Sequence, residues 1–474
     1  MFSRRQMLDR AACGFAGMAF SALASQGAAA EGRAKSLGWA QPNPFVPAAK
    51  RVIFLFMQGG VSQVDSFDNK PLLKERDGQQ MPFDDARRLA NTGERATSQR
   101  VMKSPWSFSR YGECGREVSE LFPQIATQVD KLCFLHAMQT EGVAHGPATL
   151  FLHCGSTTQI RPSMGSWVTY GLGNENDNLP GFVTISPSSG NGGARNYGNA
   201  FLPARFQGTP FGKAGQLVKQ SKLENLDPQA SENPTQREQL DLVRGLNQLQ
   251  RARHSHDSEL DAVVESYELA WKMQRYAPEV FDLSRETSAT QAQYGIGTEP
   301  TDNFGRQCLL ARRLCEAGVR FVQVTYGDNT ANPAWDQHSD LPKHAVHARA
   351  VDLPIAGLLQ DLQQRGLLDD TIVWWGGEFG RTPYAEKNGT GRDHNPQGFT
   401  TWLAGGGFRP GFAHGQTDDF GHLAVAGKVH LHDLHATILN QLGLDHERLT
   451  FRDSGRDFRL TDVHGRIVRE VLEG

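Results

Sequence analysis

At 474 residues the chain is long enough to bury a large core, and 38% hydrophobic with 21% charged residues is a soluble globular mixture that excludes disorder over most of its length. A formal net charge of −3 excludes nucleic acid as the main partner, which would require a basic face.

The first thirty residues belong to a different category. Ser3–Leu8 (SRRQML) sets a twin arginine ahead of an apolar run, Ala11–Ala24, that is short for a bilayer span, and the triplet Ala28-Ala29-Ala30 follows as an A-x-A cleavage signal. These signals, in this order, predict a removable signal over residues 1–30 that sends the protein through the twin-arginine pathway to a periplasmic or secreted location. Passengers of that pathway fold before export, often around a cofactor or metal, so the signal hints at a bound ion. Losing three arginines and one aspartate leaves the mature chain at about −5. No second hydrophobic span follows, so the mature chain is expected to have no transmembrane segment.

A polar linker over residues 31–49 leads into Arg51–Gly60 (RVIFLFMQGG), an apolar strand with a glycine turn, as expected at the first βα junction of a parallel sheet. Gly59 and Gly60 are candidates to bring backbone N–H donors close to an anionic group, although glycine pairs at strand ends also serve simply as turns. Further strand signals fall at KLCFLHAM, GFVTI, VRFVQVTY and TIVWWGG. Helical stretches lie between several of them, which predicts an α/β sheet covered on both faces. Ser186–Phe201, rich in Ser, Gly and Asn, reads as a loop of the kind that places ligands at strand ends. Residues 236–283 are highly charged and apolar at helical spacing, and predict a helical hairpin inserted in the domain 50–474. Its tandem charges fit a solvated face or, alternatively, a partner surface.

Outside the export signal five cysteines remain, an odd number that makes a poor disulfide framework. Cys308 and Cys315 sit seven residues apart on one helical stretch, about 10 Å between Cα atoms, and are expected to be core thiols.

Eleven of the sixteen histidines lie beyond residue 330. In Trp335–Asp340 (WDQHSD), Asp336 and His338 fall on one face of an extended segment. With His394 of Gly391–Pro396 (GRDHNP) they form an O/N/N set suited to Zn²⁺ or a similar divalent ion. Asp393 is either a further ligand or the group that orients His394. Arg381, after Glu378-Phe379-Gly380, could clamp a carboxylate, sulfate or phosphate, or could pair with Glu378. Near the end of the chain, Asp433 reads as the N-cap of a short helix closing at Gly443.

Taken together, FLFMQGGVSQVDSFD, RPSMGSWVTYGLGNENDNLPGFV, RQCLLARRLCEAGVRFVQV, WDQH, GLLDDTIVWWGGEFGRTP, GRDHNPQGF and DLHATILNQLGLD resemble the secreted bacterial family known as domain of unknown function 1501, from about Arg51 to the C-terminus. That family is similar to the alkaline phosphatase and sulfatase superfamily. The resemblance implies an α/β three-layer sandwich with a largely parallel central sheet, carrying the helical hairpin as an insertion. It also implies a site at the strand ends in which two metals flank a hydroxyl or formylglycine nucleophile. Asp336, His338 and His394 match one half of that site. The other half fails, because Gln58 stands where an aspartate is expected, Glu378-Phe379 replaces an Asp-His pair, and His145 falls at the nucleophile's place.

Two functions follow as expectations. In the first, the chain is an exported hydrolase of sulfate, phosphate or other esters, including an anionic polysaccharide ester. One divalent metal, expected to be zinc, activates water there, Glu378 or His145 moves the proton, and Arg381 with Gly59 and Gly60 steadies the anion. In the second, it is a catalytically inactive scaffold that binds an anionic ligand or a partner.

Overall fold

The computed structural model of the chain describes residues 45–82, 99–221, 234–253, 258–330, 332–386 and 389–473. The expected export signal, and residues 31–44 of the expected linker, lie outside them. The packed chain begins slightly before residue 50, since Ala48 and Ala49 N–H both donate to the Gln441 carbonyl at 2.9 Å.

The architecture grows outward from β1 (Arg51–Met57), whose seven residues are all buried. A strand buried on both faces favours apolar side chains throughout, which is why Val52–Met57 is a continuous apolar run, while Arg51 at its start is paired with Glu175 and Asp370 at 3.5 and 3.6 Å. Ile53, Leu55 and Met57 face one core, and Val52, Phe54 and Phe56 face the other. The strands around it are β2 (Leu132–Gln139), β3 (Phe182–Ile185), β4 (Thr209–Phe211), β5 (Phe321–Tyr326), β6 (Thr371–Gly376), β9 (Phe399–Ala404) and β10 (Phe412–His414). Two others, β7 (Gly380–Ala385) and β8 (Arg392–Asn395), form a separate antiparallel hairpin with the short strand Arg100–Val101 alongside. The main sheet runs β10–β2–β9–β6–β1–β5–β3–β4, with Val429–His430 also paired to β2. Every pairing in it is parallel except those of β9, which is antiparallel to both neighbours. All five strand signals read from the sequence fall in this sheet.

Helices cover both faces. The α1 (His145–Cys154), α2 (Met164–Leu172) and α7 (Leu431–Gln441) segments contribute to the core on the Phe54 side. On the Ile53 side lie α5 (Asp302–Glu316) and α6 (Lys343–Gln364). The result is a three-layer α/β sandwich around a largely parallel sheet. Aromatic stacking joins neighbouring strands of the sheet: Phe54 of β1 lies on its register partner Trp374 of β6 at 3.8 Å between centroids, and Trp375 of β6 on Trp402 of β9 at 5.6 Å. Cys308 and Cys315 are both free and fully buried in α5. Two further helices, α3 (Pro234–Arg253) and α4 (Ser258–Phe281), occupy the span read as a hairpin and are joined by Arg237, whose guanidinium meets Glu268 at 3.1 Å. Among the described residues no helix is long and apolar enough to cross a membrane.

One local expectation is corrected. Asp433 is not the N-cap of α7. His430 holds that position, and its ring nitrogen accepts from the His432 N–H at 3.4 Å. Asp433 is the third helical residue and accepts the His430 N–H at 3.0 Å, completing a capping box with an imidazole in the usual hydroxyl role.

Burial keeps many histidines of this fold uncharged. Desolvation holds His153, His422 and His435 down at about 4 and, with neighbouring histidines adding repulsion, His432 at about 2. Because each folded value is depressed below the ordinary value of about 6.5, the unfolded chain takes up these protons first. Their contribution to stability is therefore complete above about pH 6.5 and falls by about 1.4 kcal/mol per pH unit for each histidine as the pH drops toward 4. Urea unfolding measured between pH 7 and pH 4 should yield a stability slope of several protons near pH 5. His432→Asn should remove about one of them.

Candidate metal centre

The carboxyl ends of β1, β5 and β6 lie at one edge of the sheet, and the chain segments leaving them meet there. Beyond β1, Gly59 has φ of +116°, and a Cβ on it would sit 2.7 Å from the backbone nitrogens of Trp335 and Asp336. Only glycine lets the loop after β5 come this close. That loop is pinned by Trp335 N–H on the Gln58 carbonyl at 3.2 Å and by Asp336 N–H on Pro333 at 2.7 Å. It carries Asp336 and His338. After β6 comes Glu378, then the β7–β8 hairpin, in which Arg381 and His394 are register partners. His145 is the first residue of α1.

Four of these side chains converge. Asp336 Oδ1 lies 2.9 Å from His338 Nε2, 3.2 Å from His145 Nε2 and 3.3 Å from His394 Nε2. The Nε2 atoms of His338 and His394 are 2.9 Å apart. All four ligand atoms lie within 4.8 Å of one another. Metal–ligand bonds of 2.0–2.2 Å in a tetrahedron set ligand–ligand edges of roughly 3.3–3.6 Å, close to these separations.

Each imidazole is also held from behind. His145 Nδ1 meets Glu378 Oε1 at 2.6 Å, His338 Nδ1 meets Glu386 Oε1, and His394 Nδ1–H donates to the Val143 carbonyl at 2.7 Å. With Nδ1 engaged in this way, all three rings turn Nε2 toward the same point, the arrangement of histidines that ligate a metal. The Nε2 of His145 is buried and makes no hydrogen bond among the described residues, which leaves its lone pair for that point. The donor set therefore fits a divalent metal ion.

The electrostatics agree. Burial alone would raise the Asp336 carboxyl, yet the three imidazoles and the Arg381 guanidinium hold it well below the ordinary carboxylate range. Burial would likewise lower His338, but Asp336 and Glu386 push it up to about 9. His145 is raised against its burial by Asp336 and Glu378. His394, buried and beside Arg381 and two other histidines, is held at about 3 despite Asp336. The cluster is thus a place where positive charge is stabilised, by a proton on His338 or by a cation among the four ligands.

Several expected roles change. Arg381 is fully buried and presents no open guanidinium to an anion, nor does it pair with Glu378. Its Nε donates to Gly60 O at 3.0 Å and Nη1 to Arg392 O at 3.1 Å, while Nη2 reaches Gly59 O and Asp336 Oδ1, the latter at 2.7 Å. Those bonds fix Asp336 and leave little to offer a ligand. The Gly59 N–H is likewise spent, on both oxygens of Glu378 at 3.0 and 3.1 Å, and Gly60 leaves room for the Phe379 ring. Glu378, fully buried behind His145, orients that ring rather than exchanging protons with solvent. Asp393 accepts the His394 backbone N–H at 2.7 Å and lies 3.9 Å from His338 Nδ1, grouped with Glu386 rather than with the four converging atoms. Phe379 stacks on the His394 ring at 4.2 Å. Gln58 is fully buried, and among the described residues no cluster of potential ligands forms around it. Glu386 and the Val143 carbonyl were not read from the sequence, because neither carries a motif; Glu386 reaches His338 because the β7–β8 hairpin docks on the loop after β5, where Arg392 N–H donates to the Gln337 carbonyl at 3.1 Å.

Among curated proteins none matches the chain. Solved structures with distant similarity include Ps i-CgsB in complex with k-i-k-neocarrahexaose, at 11% identity over 84% of this chain and 72% of that one, with a TM-score of 0.38. Others are the PsFucS1 sulfatase from Pseudoalteromonas sp., at 11% identity over 84% and 68% with a TM-score of 0.35, and the alkaline phosphatase from the Antarctic bacterium TAB5, at 10% over 84% and 99% with a TM-score of 0.31. One family model, described as protein of unknown function (DUF1501), matches residues 49–472. This chain, which brings three histidines and an aspartate together at the end of its central sheet, belongs to that family.

Proposed function

We propose that the protein is an exported, metal-dependent hydrolase of sulfate, phosphate or other esters, acting with one divalent ion, in the first place zinc, held by His145, Asp336, His338 and His394. The observation that carries this reading is the convergence of three Nε2 atoms on Asp336 Oδ1, with Glu378, Glu386 and the Val143 carbonyl engaging the three Nδ1 positions. When bound, such an ion supplies a Lewis acid and activates water for attack on an ester. The chain's own groups do the rest. Glu378 and Glu386 set the tautomers of His145 and His338, and Arg381 fixes the carboxylate of Asp336. His338, with 31% of its side chain exposed against 9% or less for the other three, marks the side from which substrate approaches.

A second reading has its own observation. Four protein ligands fill a tetrahedron, the pattern of a structural rather than a catalytic zinc site, and neither Arg381 nor the Gly59 N–H is open to an anion. On that reading the ion ties the β7–β8 hairpin and α1 to the sheet, and the protein is a scaffold.

Elemental analysis of protein purified without a metal-affinity tag should find one divalent ion per chain. His394→Ala should lose it. Glu378→Gln and Glu386→Gln should each weaken its affinity by about 10- to 100-fold. A wild-type protein that binds no ion under dialysis against Zn²⁺, Mn²⁺ or Ca²⁺ would end the metal assignment.

Turnover assayed with aryl sulfates, aryl phosphates and carboxylic esters should depend on the ion and vanish in His394→Ala. Ser66→Ala and Ser163→Ala should leave it nearly unchanged. Both hydroxyls have local work elsewhere, Ser66 donating to the Ser62 carbonyl at 2.7 Å and Ser163 facing the Ser166 hydroxyl at 3.0 Å beside α2. Loss of turnover in either serine variant would point to a covalent intermediate and sink the water mechanism. Silence on every substrate, together with a sharp drop in thermal stability on chelation, would select the structural ion.

A further inference from the structure

A second concave site lies apart from the metal centre. It is a cavity of about 240 Å³ that opens to solvent beside Arg110, and none of the four converging residues lines it. Phe67 and Phe134, both nearly fully buried, form part of its wall. The polar lining consists of Asp68, Asn69, Arg110, Arg116, Glu117 and His136, and it contains no Leu, Ile or Val.

The fold builds this lining deliberately. Arg110 and Glu117 are register partners in the hairpin Phe108–Tyr111/Arg116–Ser119, with their charged ends 3.5 Å apart. Asn69 donates to Glu117 Oε2 at 3.1 Å. Asp68 accepts from Thr417 Oγ1 at 2.5 Å and pairs with Lys70 at 3.1 Å. His136 is anchored to Thr400 Oγ1 at 3.1 Å through Nδ1. Arg116 has one long bond, Nη2 to Gly411 O at 3.5 Å, and its buried Nε has no partner among the described residues.

The charges decide the class of ligand. An anion drawn by Arg110 and Arg116 meets the carboxylates of Asp68 and Glu117, and a cation drawn by those carboxylates meets the guanidinium groups. A hydroxyl escapes both conflicts, because it donates one hydrogen bond and accepts others. Carboxylates, amides, guanidinium groups and imidazole are also the planar groups that can grip adjacent hydroxyls in pairs. At about 240 Å³ the cavity falls below the roughly 300 Å³ at which pockets for drug-sized ligands begin, which suits a single six-membered ring.

We propose that this cavity is a binding site for a neutral sugar, one hexose unit in size, recognised by Asp68, Asn69, Arg110, Arg116 and Glu117. The site is independent of the metal centre and of the reaction assigned there.

Saturation-transfer NMR on the full-length protein, with D-glucose, D-galactose, D-mannose and N-acetyl-D-glucosamine as probes and acetate and putrescine as charged controls, tests it directly. At least one of the four sugars should bind the wild type. Arg116→Met and Asn69→Leu should weaken that sugar by tenfold or more. Arg110→Ala, at a side chain that is 79% exposed and so carries no folding risk, should weaken it several-fold. His338→Ala should leave sugar binding intact. Failure of all four sugars to bind, undiminished binding in the Arg110 and Arg116 variants, or binding of acetate or putrescine in place of sugar would each overturn the assignment.

Discussion

The buried guanidinium of Arg381 is the contact on which the rest of the site depends. It gathers the carbonyls of Gly59 and Gly60 at the end of β1, the carbonyl of Arg392 in β8, and the carboxylate of Asp336 after β5. These segments span some three hundred residues of chain. A fully desolvated charge of this kind is tolerable only when its donors are satisfied, so the loops must settle in this arrangement or leave a cation stranded in the interior. A second buried pair, Arg392 with Asp65 at 2.7 Å, repeats the device on the other side of the same hairpin. Together they explain how loops, ordinarily the most variable parts of a fold, hold four donor atoms within 4.8 Å of one another.

The fold was largely legible in the sequence because its central strands are buried on both faces and therefore read as unbroken apolar runs. That signal located β1, β2, β3, β5 and β6 without knowledge of their order. Order was not readable, since pairing β1 with strands that begin at Phe321 and Thr371 is a long-range matter that no local pattern encodes. The reversed direction of β9 was equally silent. It follows from the β7–β8 hairpin, which turns the chain back over the edge of the sheet.

At the site, residue type was legible and role was not. Asp336, His338 and His394 announced themselves by spacing and by family resemblance. His145 was placed at a nucleophile's position, while its Nε2 joins the cluster of Asp336, His338 and His394 and fits the place of a fourth ligand. The difference lies in Glu378, which a sequence displays as a free acid and the fold converts into a partner for one ring nitrogen. Arg381 misled for the same reason. A guanidinium near a strand end suggests an anion clamp, and only the positions of four backbone carbonyls and Asp336 reveal that its donors are already taken.

The strand order also governs when the molecule can become itself. β1 emerges early in synthesis, yet its two neighbours in the sheet appear about 270 and 320 residues later, and His394 later still. Until then a strand that is apolar from Val52 to Met57 has no edge to pair with, and the chain has high contact order, the regime of slow folding and exposed intermediates. The four converging side chains come together only in the last fifth of translation. A cell that threads this polypeptide across a membrane as it is made would postpone the pairing of β1 to the far side, whereas one that waits for the finished domain completes that pairing before the crossing.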